Sequence, residues 1–250
     1  MNKISIITVC LNSEKTIEKT INSILDQVYP NKEIIIIDGK STDRTLEIIN
    51  KYKKYIRIII SEKDAGLYHA MNKGIQLSQG GIIAILNSDD VFCNNNVLKN
   101  IANYFSNHLD VEIVLSDTYI VNNLDDKKII RKYKVTNFKD WHLRLGISPP
   151  HPSCFIKRAV YIKHGLFDLM FKCASDFELL FRLIYKKKTK FEKLNIPTVL
   201  MSSGGLSNKN FLSVINSSKE INLALKKNGY YSNLFFIWLR LPYKLIQYLL

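Results

Sequence analysis

The sequence has only four cysteines, Cys10, Cys93, Cys154 and Cys173, and no two of them form a CxxC pair. That spacing excludes a disulfide framework, offers no zinc site and suits a reducing cytoplasm. His69, His108, His142 and His164 show no metal-ligand spacing either. No clean run of about 20 apolar residues is present, so no membrane-crossing helix is expected. The opening MNKISIITVCLN lacks the small-residue cleavage site of a secretory signal. Internal repeats, low-complexity linkers and a clear domain break are also missing. Negative charge is scarce, with 22 acidic against 36 basic residues and a formal net charge of +14.

What is present is enough for a large core. At 250 residues and 46% hydrophobic, the chain can build one full α/β domain with a tail, or two small domains. The cationic excess could serve nucleic acid, an anionic membrane or phosphate-bearing ligands, or simply follow from lysine-rich composition. Its lysines and arginines cluster late, in DDKKIIRKYK, YKKKTKFEK and LKKNG. They precede the aromatic C-terminal stretch YYSNLFFIWLRLPYKLIQYLL, broken by Arg240, Pro242 and Lys244. A basic surface beside such a segment predicts a protein lying on an anionic membrane rather than crossing it.

Through the first ninety residues, short apolar runs alternate with helical patterns. KISIITV, KEIIIID, IRIII and GIIAIL read as strands. Between them, SEKTIEKTINSILDQVY places Ile17, Ile21, Ile24, Leu25 and Val28 on one helical face, TDRTLEIINKY reads as a helix capped by Ser41 or Thr42, and GLYHAMNKGIQLSQG as a third helix. Continuous apolar strands joined by helices predict a parallel sheet covered on both faces, with ligands at the carboxyl ends of its strands. Three polar clusters fall there: Asn12-Ser13, Asp38 to Ser41, and Asn87 to Asp90. Beyond them the pattern predicts a helix near 95–107, antiparallel strands in EIVLSDTYIV and KKIIRKYKV, and the turn-rich GISPPHPSCF. A helix from SDFELLFRLIYKKK, a strand near 195–201, a Gly-Gly loop in SSGGLSN and a final helical region follow.

Asp38 ends an apolar strand, where it reads equally as the cap of the next helix or as an acceptor for a ligand's N–H or hydroxyls. Asp89 and Asp90 are adjacent like charges that read either as a solvated acidic turn or as ligands of Mg²⁺ or Mn²⁺ with a diphosphate, which would relieve their repulsion; the apolar run GIIAIL before them favours the second, because a buried strand aims its end at the crevice. Asp176 shares a helical stripe with Leu179, Leu180 and Leu183, and is either an N-cap or a carboxylate poised as a base. Glu178 and Arg182 read as a surface ion pair. His151, between prolines, could reach a ligand, and SSGGLSN could close over one.

In order, IITVCLNSEKTIEKTINSILDQVYPNKEIIIIDGKSTDRT, SEKDAGLYHAMNKGI, ILNSDD, HPSCFIKR, GLFD and ASDFELLFRL resemble the motifs of family 2 glycosyltransferases with the GT-A fold, over about residues 3 to 208. The branch most similar makes bacterial surface polysaccharide such as O-antigen or capsule. The resemblance implies an α/β, Rossmann-like and mostly parallel central sheet with helices on both faces. It implies a nucleotide-sugar half over about 1–116 and an acceptor half over about 117–208; beyond it, the helical pattern and basic, aromatic composition of 209–250 read as a C-terminal extension that meets the membrane. It implies nucleotide-sugar contacts at Thr8, Val9, Asn12, Asp38, Gly66, Asn72, Lys73 and Asp89, a divalent metal at Asp89 and Asp90, and Asp176 as the base of an inverting transfer. The expected donor is a UDP-sugar, the acceptor a saccharide or lipid-linked saccharide, and the location the inner face of the cell membrane. Three positions depart from the pattern: Asn87 and Lys40 replace a frequent aspartate and glycine, and Ser175 a frequent glutamate. A nucleotidyltransferase could share the sheet and carboxylates, but VCLNSEKT is not its Gly-rich phosphate loop. A nucleic-acid-binding module would account for the charge, yet no recognition motif is present.

Overall fold

A computed structural model describes residues 2–203 and 211–240. Strands β1 (Ile4–Cys10), β2 (Lys32–Asp38), β3 (Ile58–Ser61) and β4 (Ile82–Ile85) alternate with helices α1 (Ile17–Leu25), α2 (Thr45–Lys51) and α3 (Leu67–Leu77). They pair in parallel in the order β3-β2-β1-β4. Side chains alternate across the sheet as strand geometry requires. Ile7 and Val9 join α3 residues Met71 and Ile75 in one core layer. Ile4 and Ile6 join α1 residues Ile17, Ile21 and Ile24 in the other. The fit is close: a Cβ built on Gly74 of α3 would stand 2.3 Å from Cγ2 of Ile7, so the helix reaches the strand only because that residue is glycine.

The second half is mixed. β5 (Asp90–Phe92) follows the β4 loop at once, then come α4 (Val97–Asn107), β6 (Ile113–Val121), β7 (Ile129–Tyr133), β8 (Cys154–Lys157), α5 (Arg158–His164), α6 (Ser175–Leu180) and β9 (Phe191–Ser202). β8 lies antiparallel between β4 and β6, β7 pairs antiparallel with β6, and β9 runs parallel to β6 and antiparallel to β5. The sheet is therefore parallel in its first half and mixed beyond β4. Two predictions from local pattern change here. The turn-rich GISPPHPSCF ends in a short helical turn, His151–Ser153, and the first residues of strand β8, and the strand near 195–201 extends over twelve residues. Val28 lies outside α1 and is 51% exposed.

Helices α7 (Phe211–Lys227) and α8 (Leu234–Trp238) close the described chain. Ile221, Ala224 and Leu225 of α7 and Ile237 of α8 are buried in the same layer as α6. Phe235, Phe236 and Trp238 of α8 remain exposed, at 70%, 42% and 49%. Arg240, expected as a cation of the tail surface, is instead buried against the hydroxyls of Ser217 and Ser218, and burial lowers its pKa to about 10. Among the described residues no helix is long and apolar enough to cross a membrane. The Gly-Gly loop and the last ten residues of the tail lie outside the described residues.

Candidate active site

The first three strands end in register, with Cys10 beside Asp38 and Asp38 beside Ser61. Asp38 is completely buried, so its charge needs internal donors. It has them: the Ser61 hydroxyl at 2.5 Å, the Ser41 N–H at 3.1 Å and the Ser41 hydroxyl. Asp38 therefore pins the β2–α2 loop and is not a helix cap. The α2 N-cap is Arg44, neither Ser41 nor Thr42, and Asp43 accepts from the Thr45 N–H at 3.0 Å.

The three polar clusters converge, as sequence position predicted. Asn12, held at a φ of 50°, accepts from the Thr42 N–H at 2.9 Å and donates its own N–H to the Ser41 hydroxyl at 2.8 Å. The Ser13 hydroxyl meets that of Ser88 at 2.9 Å. Lys40 occupies a left-handed φ of 68°, the backbone conformation that explains why glycine suits this position. Thr8 and Val9 are buried within β1, beneath the crevice rather than on its surface.

At the start of α3, Gly66 has a φ of +124° and open space beside its Cα. Lys73 pairs with Glu62 and, at 2.7 Å, with Asp64, whose same oxygen also meets His69 at 2.8 Å. The second Asp64 oxygen is buried without a partner among the described residues. The sequence pattern gives Asp64 no distinguishing signal; its side-chain burial, 6% exposed, singles it out. Asn72, expected near the ribose and diphosphate, uses both ends of its amide on the backbone of Phe167, at 2.9 and 3.0 Å. It clamps the GLFD loop to α3.

Asp90 is 1% exposed and lies between the Asn87 amide at 3.1 Å and the Ser202 N–H at 3.3 Å. Burial, then the charge of Asp89, pushes its carboxyl well above the usual range. Asp89 is only half-buried, and burial raises its pKa too. Two carboxyls held against ionisation at one strand end form an oxygen donor set that a hard divalent cation would charge and complete. Asp89 is the member nearer solvent. The residues thus fit a Mg²⁺ or Mn²⁺ ion, though no cluster of three or more ligating side chains occurs among the described residues.

Asp176, on α6, has its side chain 28% exposed. Its N-cap is Ala174, so Asp176 lies inside the first turn of α6 rather than capping it. One carboxylate oxygen accepts from the Tyr68 hydroxyl at 3.0 Å and the Phe177 N–H at 2.8 Å. The other faces His151 Nδ1 at 3.6 Å. Burial alone would raise the Asp176 pKa, but the hydrogen bond and charge of His151, with the Phe177 N–H and Tyr68, outweigh it and hold the carboxyl below the usual range. Burial and Asp176 push the Tyr68 hydroxyl well above its ordinary value, so it remains a donor. The other ring nitrogen of His151 lies 3.4 Å from the Asn87 carbonyl oxygen. His151 therefore links Asp176 to the side-chain amide of Asn87, which in turn donates to Asp90. Glu178 and Arg182 are not a surface pair: their side chains are 3% and 15% exposed, and Arg182 also donates to the carbonyls of His164, Gly165 and Leu166.

The glycosyl transferase family 2 model matches residues 5–165, which span this carboxyl edge from β1 through His151. The chain belongs to glycosyl transferase family 2. It is 25% identical over 236 residues to a PGL/p-HBAD biosynthesis glycosyltransferase of Mycobacterium bovis, covering 88% of this chain and 87% of that protein. A shorter match to Bacillus subtilis TuaG, named for teichuronic acid biosynthesis, is 40% identical over 90 residues, 35% of this chain and 36% of TuaG. Among solved structures, S. aureus TarS 1–349 in complex with UDP-GlcNAc superposes with a TM-score of 0.67 at 20% identity, over 89% of this chain and 66% of TarS 1–349. The Pyrobaculum calidifontis mannosyltransferase PcManGT, in complex with GDP-Man and Mn²⁺, gives 0.66 at 15% identity over 99% of this chain and 73% of that one. These superpositions establish the GT-A fold of this family 2 glycosyltransferase.

Proposed function

We propose that this glycosyltransferase moves a sugar, with inversion, from a nucleotide sugar to a saccharide or lipid-linked saccharide in bacterial surface polysaccharide synthesis. The observation that carries this reading is Asp176, a partly exposed carboxylate held ionised by Tyr68, Phe177 and His151, and joined through His151 and Asn87 to Asp90. The oxygen facing His151 would take the acceptor's hydroxyl proton as that oxygen attacks the anomeric carbon. The sugar–phosphate bond breaks in line, and its electron pair leaves with the nucleoside diphosphate. Tyr68 and the Phe177 N–H fix the other oxygen, so the aim of the base is set before the acceptor arrives.

Asp89 would contact a Mg²⁺ or Mn²⁺ ion, with Asp90 behind it as charge and support. When bound, such an ion stabilises the negative charge developing on the departing diphosphate. Asp38, Asn12 and the glycine at 66 would shape the nucleotide end, together with Lys73 and the backbone around Thr8 and Val9. A UDP-sugar is the expected donor, supported by the UDP-GlcNAc complex of TarS. The exposed aromatic face of α8 beside the lysine-rich second half supports docking on the anionic inner face of the cell membrane.

A donor screen tests the reading. UDP-, GDP- and dTDP-sugars are incubated with the protein with and without Mg²⁺ or Mn²⁺, and nucleoside-diphosphate release is measured. The expected result is metal-dependent release from a UDP-sugar; a panel that neither binds nor turns over contradicts it.

A further inference from the structure

The segment that delivers Asp176 is held from a distance, by α7. Glu220 spreads its carboxylate across the backbone just before α6: one oxygen accepts from the Lys172 N–H at 3.1 Å, the other from Cys173 at 2.8 Å and Ala174 at 3.0 Å. Ala174 is the N-cap of α6, whose N–H has no intrahelical partner, and Lys172 and Cys173 lead into it. Three amides converging on one carboxylate fix the direction in which the chain enters the helix, and Asp176 follows two residues after Ala174. The same helix holds the front of this loop, where Lys227 pairs with Asp168, whose carbonyl accepts from Ser175 at 2.9 Å. Asn228, just past α7, donates to Glu178 at 3.1 Å. The helix itself is anchored by buried Ile221, Ala224 and Leu225.

We propose that Glu220 is a positioning residue for the transfer reaction: it sets the turn 172–174 so that the Asp176 carboxylate meets Tyr68 and His151 in the aim the acceptor needs. The proposal rests on the reading of Asp176 as the base. Glu220 touches neither that carboxylate nor the strand-end aspartates, so its removal should disturb aim and leave nucleotide binding intact. Misplacement of a reacting group by about 1 Å costs on the order of 100-fold in rate.

The test is a double-mutant cycle in the full chain, with Glu220→Ala and Glu220→Gln made in the parent and in Asp176→Asn. UDP with Mn²⁺ is the binding probe, and nucleoside-diphosphate release from the donor that the screen selects is the rate probe. Glu220→Ala should lower kcat about 10- to 100-fold while UDP affinity stays unchanged. Glu220→Gln, which keeps one acceptor oxygen, should fall between, and neither change should slow Asp176→Asn further. Amide exchange at 172–177 should accelerate in both variants, and Gln carries the test if Ala does not fold. Losses that add to that of Asp176→Asn, a kcat equal to the parent's despite faster exchange, or a parallel loss of UDP affinity would each overturn the positioning role. An Asp176→Asn enzyme as active as the parent would overturn the base assignment itself, and the proposal with it.

Discussion

The two halves of the sheet are built by different means. From β1 to β4, parallel strands lie between helices on both faces, and the loops at their carboxyl ends are tied to one another by short polar side chains such as Asn12, Ser13 and Ser41. From β5 onward the strands are mixed, and the segment bearing Asp176 is fixed by Asn72 of α3 and Glu220 of α7, both distant in sequence, and by Arg182 just past α6. The first half positions its site through backbone regularity; the second does so through a network of buried polar contacts. Under the proposed function, the nucleotide side would rest on the parallel half and the acceptor side on contacts made by side chains distant in sequence.

The largest effect that separates the halves should come from acid. Glu33 on β2 is almost fully buried at the opposite end of the sheet, where Lys3, Arg57, Ser5 and the amides of Gln79 and Gly80 surround it. Burial raises its pKa, but Lys3, Ser5 and the two amides lower it further, to about 2. A folded pKa below the unfolded value means the stabilisation is fully present above about pH 4.5 and is lost as pH falls toward 2, up to about 3 kcal/mol. Urea midpoints between pH 7 and pH 2.5 should show this fall, and Glu33→Gln should flatten it; an unchanged slope would remove Glu33 as the first half's acid-sensitive tie.

Next in size, Gly74→Ala should cost about 1–3 kcal/mol by overpacking α3 against Ile7, read from the thermal midpoint. A neutral outcome would mean that the α3–β1 contact is looser than its geometry. Asp89→Asn should be close to neutral for stability and weaken metal-dependent UDP binding roughly 10- to 100-fold, measured by calorimetry at fixed Mn²⁺. A larger loss from Asp90→Asn would move the main metal ligand to the buried member of the pair.

The same contrast governs how much could be read from the sequence. The continuous apolar run in KEIIIID and the period-3.6 pattern in SEKTIEKTINSIL reflect burial on both faces of a strand and on one face of a helix, so four strands, three helices and the three converging clusters were legible. Period could not reveal β8 or β5, whose pairing partners are supplied by β6, β4 and β9. Nor could it separate Asp89 from Asp90, because which carboxyl is buried depends on Ser202 arriving from β9. Asn72 and Arg182 read as ligand contact and surface pair, while tertiary structure spends both on the loop before α6. His151 carried only a weak local signal and turns out to join Asp176 to Asn87, whose amide holds Asp90.

The most direct test of the central claim is to compare Asp176→Asn with the parent for both UDP binding in the presence of Mn²⁺ and turnover of the selected sugar nucleotide. The amide conserves shape but cannot take a proton, so UDP affinity should be retained while turnover falls by about 100-fold or more. Full turnover by Asp176→Asn, or loss of UDP binding in step with turnover, would contradict a base that acts independently of nucleotide binding.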